Sequence, residues 1–301
     1  MLAFCLWALL SAVGVGGVGC SSGSSNSDVS DPNSRPPVTE AKPATSQTDA
    51  DTVIYSHTQS LSMDLYRPQA GKGRTAAILL LHGGGWVGGG RADMAELGEY
   101  IARNGNLAAS ADYRLAPKDR WPAQLEDVQT AVRYLRANAD RLNIDPKRIA
   151  SIGISAGGHL SLFLGAVDAP HPVEYPGFSS KVEAVGSISG LHDLRLKMTG
   201  AGEQYRIVEA LTGSREGPAV EAASPILSLN AKSAPTYFIQ GADDPLVPPD
   251  QTEHASKRLA ELGVPEKAET VPGMGHGIAL SDESQAAAFS RMMAWILKRL
   301  P

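Results

Sequence analysis

From Val53 onward, short apolar runs alternate with longer stretches whose apolar residues recur every three or four positions. The short runs predict strands at Val53–Ser56, Leu61–Tyr66, Ala76–Leu81, Leu107–Ala111, Ile149–Ile154, Val182–Ile188, Pro235–Gln240 and Ala268–Val271. Leu61, Met63 and Leu65 alternate with polar neighbours, as on a strand with one wet face. AAILLL at Ala76–Leu81 is apolar throughout, as on a strand covered on both faces. The longer stretches predict helices at Arg91–Arg103, Pro122–Ala139, Ala156–Val167, Asp250–Leu262 and Ser284–Leu300. In the second of these, Leu125, Val128, Val132 and Leu135 form a single stripe with charges between them. Trp121-Pro122 reads as its start, with proline in the first turn.

Alternating strands and helices imply an α/β fold: a mostly parallel central sheet with helices on both faces. Such sheets carry function at the C-terminal ends of their strands, so chemistry is expected in the loops after AAILLL, ASIGI and YFIQ. Residues 190–233 break the alternation with weak helical pieces and turn residues. They are read as an insertion over the strand ends, a small cap on a substrate pocket.

The N-terminus has a different pattern. Leu2 to Val18 is apolar, glycine-rich and short for a membrane span, which suits a signal peptide over residues 1–20. Gly17-Val18-Gly19 before Cys20 resembles a bacterial lipobox, in which that cysteine is lipidated. Gly17 stands where the pattern usually has leucine, and no Lys or Arg precedes it. Residues 21–51 are rich in Ser, Pro and Thr, too polar to offset their ordering entropy, and read as a disordered tether. The expectation is an exported protein, periplasmic or cell-surface, with a catalytic domain over 52–301 and membrane contact only through an anchor at Cys20.

Composition narrows the chemistry. A net charge of −5 gives no basic footprint for nucleic acid, and a mean hydropathy of −0.14 argues against a polytopic membrane protein. Cys5 and Cys20 are the only cysteines, so the body has no disulfide, thiol nucleophile or cysteine metal site. No spaced His/Asp set suggests zinc, and no metal or cofactor is expected.

Three loops remain. Gly153-Ile154-Ser155-Ala156-Gly157 matches G-x-S-x-G, which needs a strand turning sharply into a helix with the serine at the bend. Alone the pattern is weak: chance gives roughly 0.2 matches in such a chain, and Gly19-Cys20-Ser21-Ser22-Gly23 matches as well. Only Ser155 follows a predicted strand and opens a predicted helix. His82-Gly83-Gly84-Gly85-Trp86 directly follows AAILLL, and there Gly84 and Gly85 could aim backbone N–H groups at an oxyanion together with Ala156. Trp86 is read as a pocket wall. On such a fold the acid and then the histidine follow the serine. His276, in the loop GMGHG, is preferred over His254, which sits inside a helical pattern. Asp243 and Asp244 are both candidates for the acid.

Taken in order, HGGGW (His82–Trp86), DYRLAP (Asp112–Pro117), WPAQLEDV (Trp121–Val128), GISAGGHL (Gly153–Leu160), DPLVP (Asp244–Pro248) and GMGHG (Gly273–Gly277) resemble the α/β-hydrolase fold. Within it, they resemble the esterases grouped with hormone-sensitive lipase and the related BD-FAE-like hydrolases. The family's G-x-x-D-x-x-V falls on Gly241, Asp244 and Val247, which selects Asp244. The resemblance implies Ser155 as nucleophile, His276 as base and Asp244 as its orienter, with Gly84, Gly85 and Ala156 around the oxyanion. It implies Asp112, Tyr113 and Arg114 as a buried structural network, and His159 is read as a core residue. The expected function is a serine carboxylic-ester hydrolase on short acyl esters, with acetyl or feruloyl groups of polysaccharides as a natural target. The alternatives are an amidase or formamidase using the same triad, and a tethered binding protein that has lost catalysis.

Overall fold

The structure, a computed structural model, describes residues 50–69, 73–169, 173–196 and 203–301. The stretch read as a signal peptide, Cys20 and nearly all of the stretch read as a tether lie outside the described residues. The first strand begins at Asp51, inside the span read as tether.

Eight strands form one sheet: β1 (Asp51–Ser56), β2 (Leu61–Tyr66), β3 (Thr75–Leu81), β4 (Leu107–Ala111), β5 (Ile144–Ile154), β6 (Ala184–Ile188), β7 (Thr236–Gly241) and β8 (Glu266–Val271). Their order is β1-β2-β4-β3-β5-β6-β7-β8. β2 pairs antiparallel with β1 and β4, and every pairing from β4 across to β8 is parallel. β8 is an edge strand whose Lys267 is exposed and whose Glu266 and Glu269 are half-exposed.

β3 shows how the sheet holds both layers. Ala77, Leu79 and Leu81 face one core, and Ala76, Ile78 and Leu80 face the other, as the two-residue period of a strand requires. The first core includes Val128, Val132 and Leu135 of α2 (Ala123–Ala137) and Leu160 and Leu164 of α4 (Ala156–Ala166). The second takes Leu97 and Ile101 of α1 (Ala95–Arg103) and Phe289, Met292 and Ile296 of the C-terminal helix Glu283–Leu297. Each fully buried leucine or isoleucine contributes about 1.5–3 kcal/mol, so β3 alone is a large share of what holds the layers together.

Several boundaries differ from the sequence expectation, each for a local reason. β5 starts five residues early because Thr75 pairs with Ile144 across a register shift, a contact no apolar pattern announces. Residues Arg91–Met94 form a 3-10 turn ahead of α1. Asp93 accepts the Gly90 N–H (2.9 Å), and Arg91 is tied to Asp64 (2.9 Å) and to Asp112. Pro122 is the N-cap of α2 and not part of its first turn. Asn138 closes that helix through Tyr134 O (2.9 Å), and a separate four-residue helix, α3 (Ala139–Leu142), follows.

The insertion at 190–233 holds α5 (Glu203–Thr212), α6 (Pro218–Ala222) and a 3-10 turn at Pro225–Ser228. Its first residues are not cap. Leu191, His192, Asp193 and Leu194 are buried, and Gln251 Oε1 accepts the N–H groups of His192 (2.7 Å) and Asp193 (2.8 Å). Gln251 lies in α7 (Asp250–Glu261). The last helix, Glu283–Leu297, is therefore α8.

Candidate active site

Ser155 stands between the end of β5 and the start of α4, with φ 56° and ψ −117°. A non-glycine residue in this region is strained and persists only where its surroundings fix it. The surroundings here are backbone. Ser155 N–H donates to Ile188 O (2.8 Å), and Ser155 O accepts the His159 N–H (3.1 Å). A Cβ on Gly153 would collide with Gly157, and a Cβ on Gly157 would collide with the backbone of Leu81 and His82. The small residues flanking the serine are therefore contact surfaces between β5, α4 and the loop after β3.

That loop is the glycine run. A Cβ built on Gly83 would lie 3.4 Å from Ser155 Cβ, so the loop passes directly beside the serine. Gly84, Gly85 and Trp86 have φ of 102°, 59° and 62°, a left-handed run that two glycines make feasible. Gly84 O accepts the N–H groups of Val87 and Gly88 (both 3.1 Å), which closes the turn. Among the described residues no acceptor takes the N–H of Gly84, Gly85 or Ala156. Three donors beside a serine at a helix start are the arrangement an oxyanion needs.

His82 and Trp86 support this loop from below. His82 is buried, stacks on Tyr113 with ring centroids 4.2 Å apart, and its carbonyl accepts the Tyr113 hydroxyl at 2.9 Å. Trp86, expected as a pocket wall, is fully buried, and its Nε1–H donates to His159 Nδ1 (3.3 Å). The chain turns left-handed at Trp86, which carries the indole into the core. His159 Nε2–H in turn donates to Ala223 O (2.7 Å), and burial lowers its pKa to about 3, so it is neutral. Arg114 pairs with the buried Asp127 at 2.8 Å.

The other half of the site lies beyond β7 and β8. His276 Nδ1–H donates to Asp244 Oδ2 (2.9 Å), with Oδ1 at 3.2 Å. The Asp244 side chain is fully shielded, and Oδ1 also accepts the N–H groups of Leu246 and Val247 (both 2.9 Å). Burial pushes this carboxyl up, but the bonds from His276, Val247 and Leu246 outweigh it and hold its pKa below the usual value. A carboxylate thus fixes the tautomer of His276 and leaves Nε2 free to accept a proton. The loop reaches Asp244 because β7 ends in Gly241, where a Cβ would collide with Met274 and Gly275. Asp243 is exposed and only its N–H is used, donated to Met274 O (3.0 Å). His254 is exposed on α7.

Ser155, Asp244 and His276 therefore follow β5, β7 and β8 at one edge of the sheet. The structure joins His276 to Asp244. No hydrogen bond joins Ser155 to either among the described residues, and such bonds often tighten only around substrate. Two residues escaped the sequence reading. Gln240 Nε2 donates to Val247 O (3.0 Å) and its Oε1 accepts from Thr252 (3.1 Å), which braces the acid loop. A polar residue closing an otherwise buried strand was its signal. Ser189, at the end of β6, has φ 48° and a buried hydroxyl without a partner. No sequence pattern marks it.

A sheet of this order, with a strained serine between strand and helix and an Asp–His pair after the last two strands, defines an α/β-hydrolase. The chain belongs to the BD-FAE family, whose model matches residues 63–259. It is similar to esterase LipC of Mycobacterium tuberculosis, at 32% identity over 82% of this chain and 64% of the relative. Ethyl acetate hydrolase of Pseudomonas putida is 30% identical over 72% of this chain and 71% of its own length. The chain spans only 50% and 49% of two further mycobacterial relatives. Among solved structures, a truncated carbohydrate esterase from gut microbiota superimposes with a TM-score of 0.74 at 26% identity, covering 84% of this chain and 98% of that one.

Proposed function

We propose that the protein hydrolyses carboxylic esters of short acyl groups, with Ser155 as nucleophile, His276 as base and Asp244 as orienter. The observation that carries this reading is the His276–Asp244 bond at the same sheet edge as the strained Ser155. Ser155 Oγ attacks the ester carbonyl carbon while His276 Nε2 takes its proton. The carbonyl oxygen becomes an oxyanion that the N–H groups of Gly84, Gly85 and Ala156 stabilise, at about 3 kcal/mol for one such donor. Collapse breaks the bond to the alcohol, which leaves with the proton from His276. Water, deprotonated by His276, then attacks the acyl-enzyme and releases the acid. Asp244 stays ionised and stabilises the imidazolium.

Relatives named esterase LipC and ethyl acetate hydrolase support ester chemistry. The carbohydrate esterase neighbour, together with the expected export, supports acetyl or feruloyl groups on polysaccharide as the natural target. The test is a panel of p-nitrophenyl esters of rising chain length, acetylated xylan, methyl ferulate and N-formylkynurenine, run beside Ser155→Ala. Short-ester turnover lost in the variant is the expected result. Full activity in Ser155→Ala refutes the assignment, and faster turnover of the formyl amide moves the protein to the formamidase reading. Metabolic labelling with palmitate tests the proposed anchor, and an unlabelled Cys20 removes it.

A further inference from the structure

On the α2 face of the sheet lies a cavity of about 330 Å³ that includes none of Ser155, Asp244, His276 or the glycine run, although the Arg114–Asp127 pair forms part of its wall. Thr58, Gln59, Gln129, Thr130, Arg133 and Glu174 are among the residues that line it. Two of them are one helical turn apart on α2, and both are more than nine-tenths buried: Gln129 at 4% exposure and Arg133 at 2%. A buried guanidinium normally has a carboxylate partner. Arg133 has none within ion-pair distance among the described residues. Its Nε–H donates to Phe178 O (3.3 Å) and Nη2 to Ala169 O (3.2 Å), while Nη1 makes no hydrogen bond among the described residues. The Gln129 amide likewise has no hydrogen-bond partner among the described residues, and its polar atoms are not sealed off but remain open to the cavity.

The other charges of the cavity are already satisfied. Arg114 is matched by Asp127 (2.8 Å) and Glu126 (3.0 Å). Glu174 accepts from Ser56 Oγ (2.6 Å), His57 N–H (2.8 Å) and Thr58 Oγ1 (3.0 Å). What remains unpaired is one cation and one neutral amide on the same face of α2, with hydroxyl and amide groups around them. Thr130 Oγ1–H is given to its own helix, to Glu126 O (2.9 Å), which leaves its oxygen able to accept.

We propose that this cavity is a binding site for a small hydroxylated carboxylate of the sugar-acid class. The Arg133 Nη1 donors take a carboxylate oxygen. The Gln129 amide, donor and acceptor at once, takes an adjacent hydroxyl. The volume is at the small end of the range for ligand sites, about 300–1,000 Å³, which suits a single ring. The site is independent of the esterase assignment and stands or falls apart from it.

The test is calorimetric titration of the full chain with sodium glucuronate, glucose and acetate as separate probes. Glucuronate is expected to saturate a site with about millimolar Kd or tighter. Glucose, lacking the charge, and acetate, lacking the hydroxyls, should each bind at least about tenfold more weakly. Thr130→Trp places an indole in the cavity without removing the bonds of Arg133, and it should abolish binding while the melting temperature holds. Gln129→Ala should weaken glucuronate more than acetate. The proposal is overturned by no saturable glucuronate binding at millimolar concentration, by equal binding of glucose, or by unchanged binding in a folded Thr130→Trp protein.

Discussion

The two halves of the candidate site are built by different means. Around Ser155 the structure is held by backbone pressed on backbone. Gly153 and Gly157 have no room for a methyl group, and the atoms in the way are main-chain atoms of Gly157, Leu81 and His82. Around Asp244 and His276 it is held by directed hydrogen bonds in a looser loop. Gly273, Gly275 and Gly277 have nothing within 4 Å of a built Cβ, and only Gly241 is tight. The Ser155 half is thus specified by shape and the Asp244–His276 half by polarity. A substitution in the first should cost stability and activity together, and one in the second should separate them.

The largest expected effect is in the polar half. Asp244→Asn keeps an oxygen for the N–H groups of Leu246 and Val247 but loses the charge that orients His276. The ester kcat/KM should fall by about 10⁴, with little change in melting temperature. A parallel collapse of the fold would mean that this half, too, is specified by packing. Next is Gly157→Ala, whose methyl meets main-chain atoms that cannot rotate away. A cost of about 3 kcal/mol is expected, read as a melting temperature lower by about 6–12 °C for a domain of this size, with activity falling alongside.

Acid should weaken the molecule from beneath the serine. His159 and His192 are fully buried, and burial holds their pKa at about 3 and about 4. An unfolded chain protonates both as pH drops through 6.5, while the folded chain keeps them neutral. Stability is therefore full above about pH 6.5 and falls towards pH 4, by up to about 1.4 kcal/mol per pH unit for each histidine. Asp244, with its lowered pKa, adds its loss only below about pH 4. Urea melts across this range would show the slope, and His192→Gln should make it shallower. The smallest effect belongs to Gly275→Ala, within about 0.5 kcal/mol of wild type, because that methyl meets nothing. A large loss there would show that the loop is packed more tightly than its hydrogen bonds require.

The same contrast explains what could be read from the chain alone. Strands and helices with strong periods, such as AAILLL and the α2 stripe, were legible because one period maps onto one face. The G-x-S-x-G and glycine-run loops were legible because close backbone approach leaves few residue types possible. The Asp244–His276 contact spans 32 residues of sequence, and spacing alone left Asp243 open; only the motif resemblance chose between them. Trp86 was misread because its left-handed φ, which sends the indole inward, has no sequence signature in a non-glycine residue. Ile144–Arg148 was missed as strand because its pairing with Thr75 is set by the neighbour and not by its own pattern.

β8 has a further consequence. It ends the sheet with a row of backbone groups that face no other described strand, the feature by which proteins stick to copies of themselves. Glu266, Lys267 and Glu269 sit on that row, with Glu269 tied to Arg291 and Tyr237, and Lys267 over the Tyr237 ring at 5.4 Å. A foreign strand docking there would have to strip water from these charges. The margin of the sheet acts as a full stop, and it keeps the molecule dispersed where crowding would otherwise favour fibres.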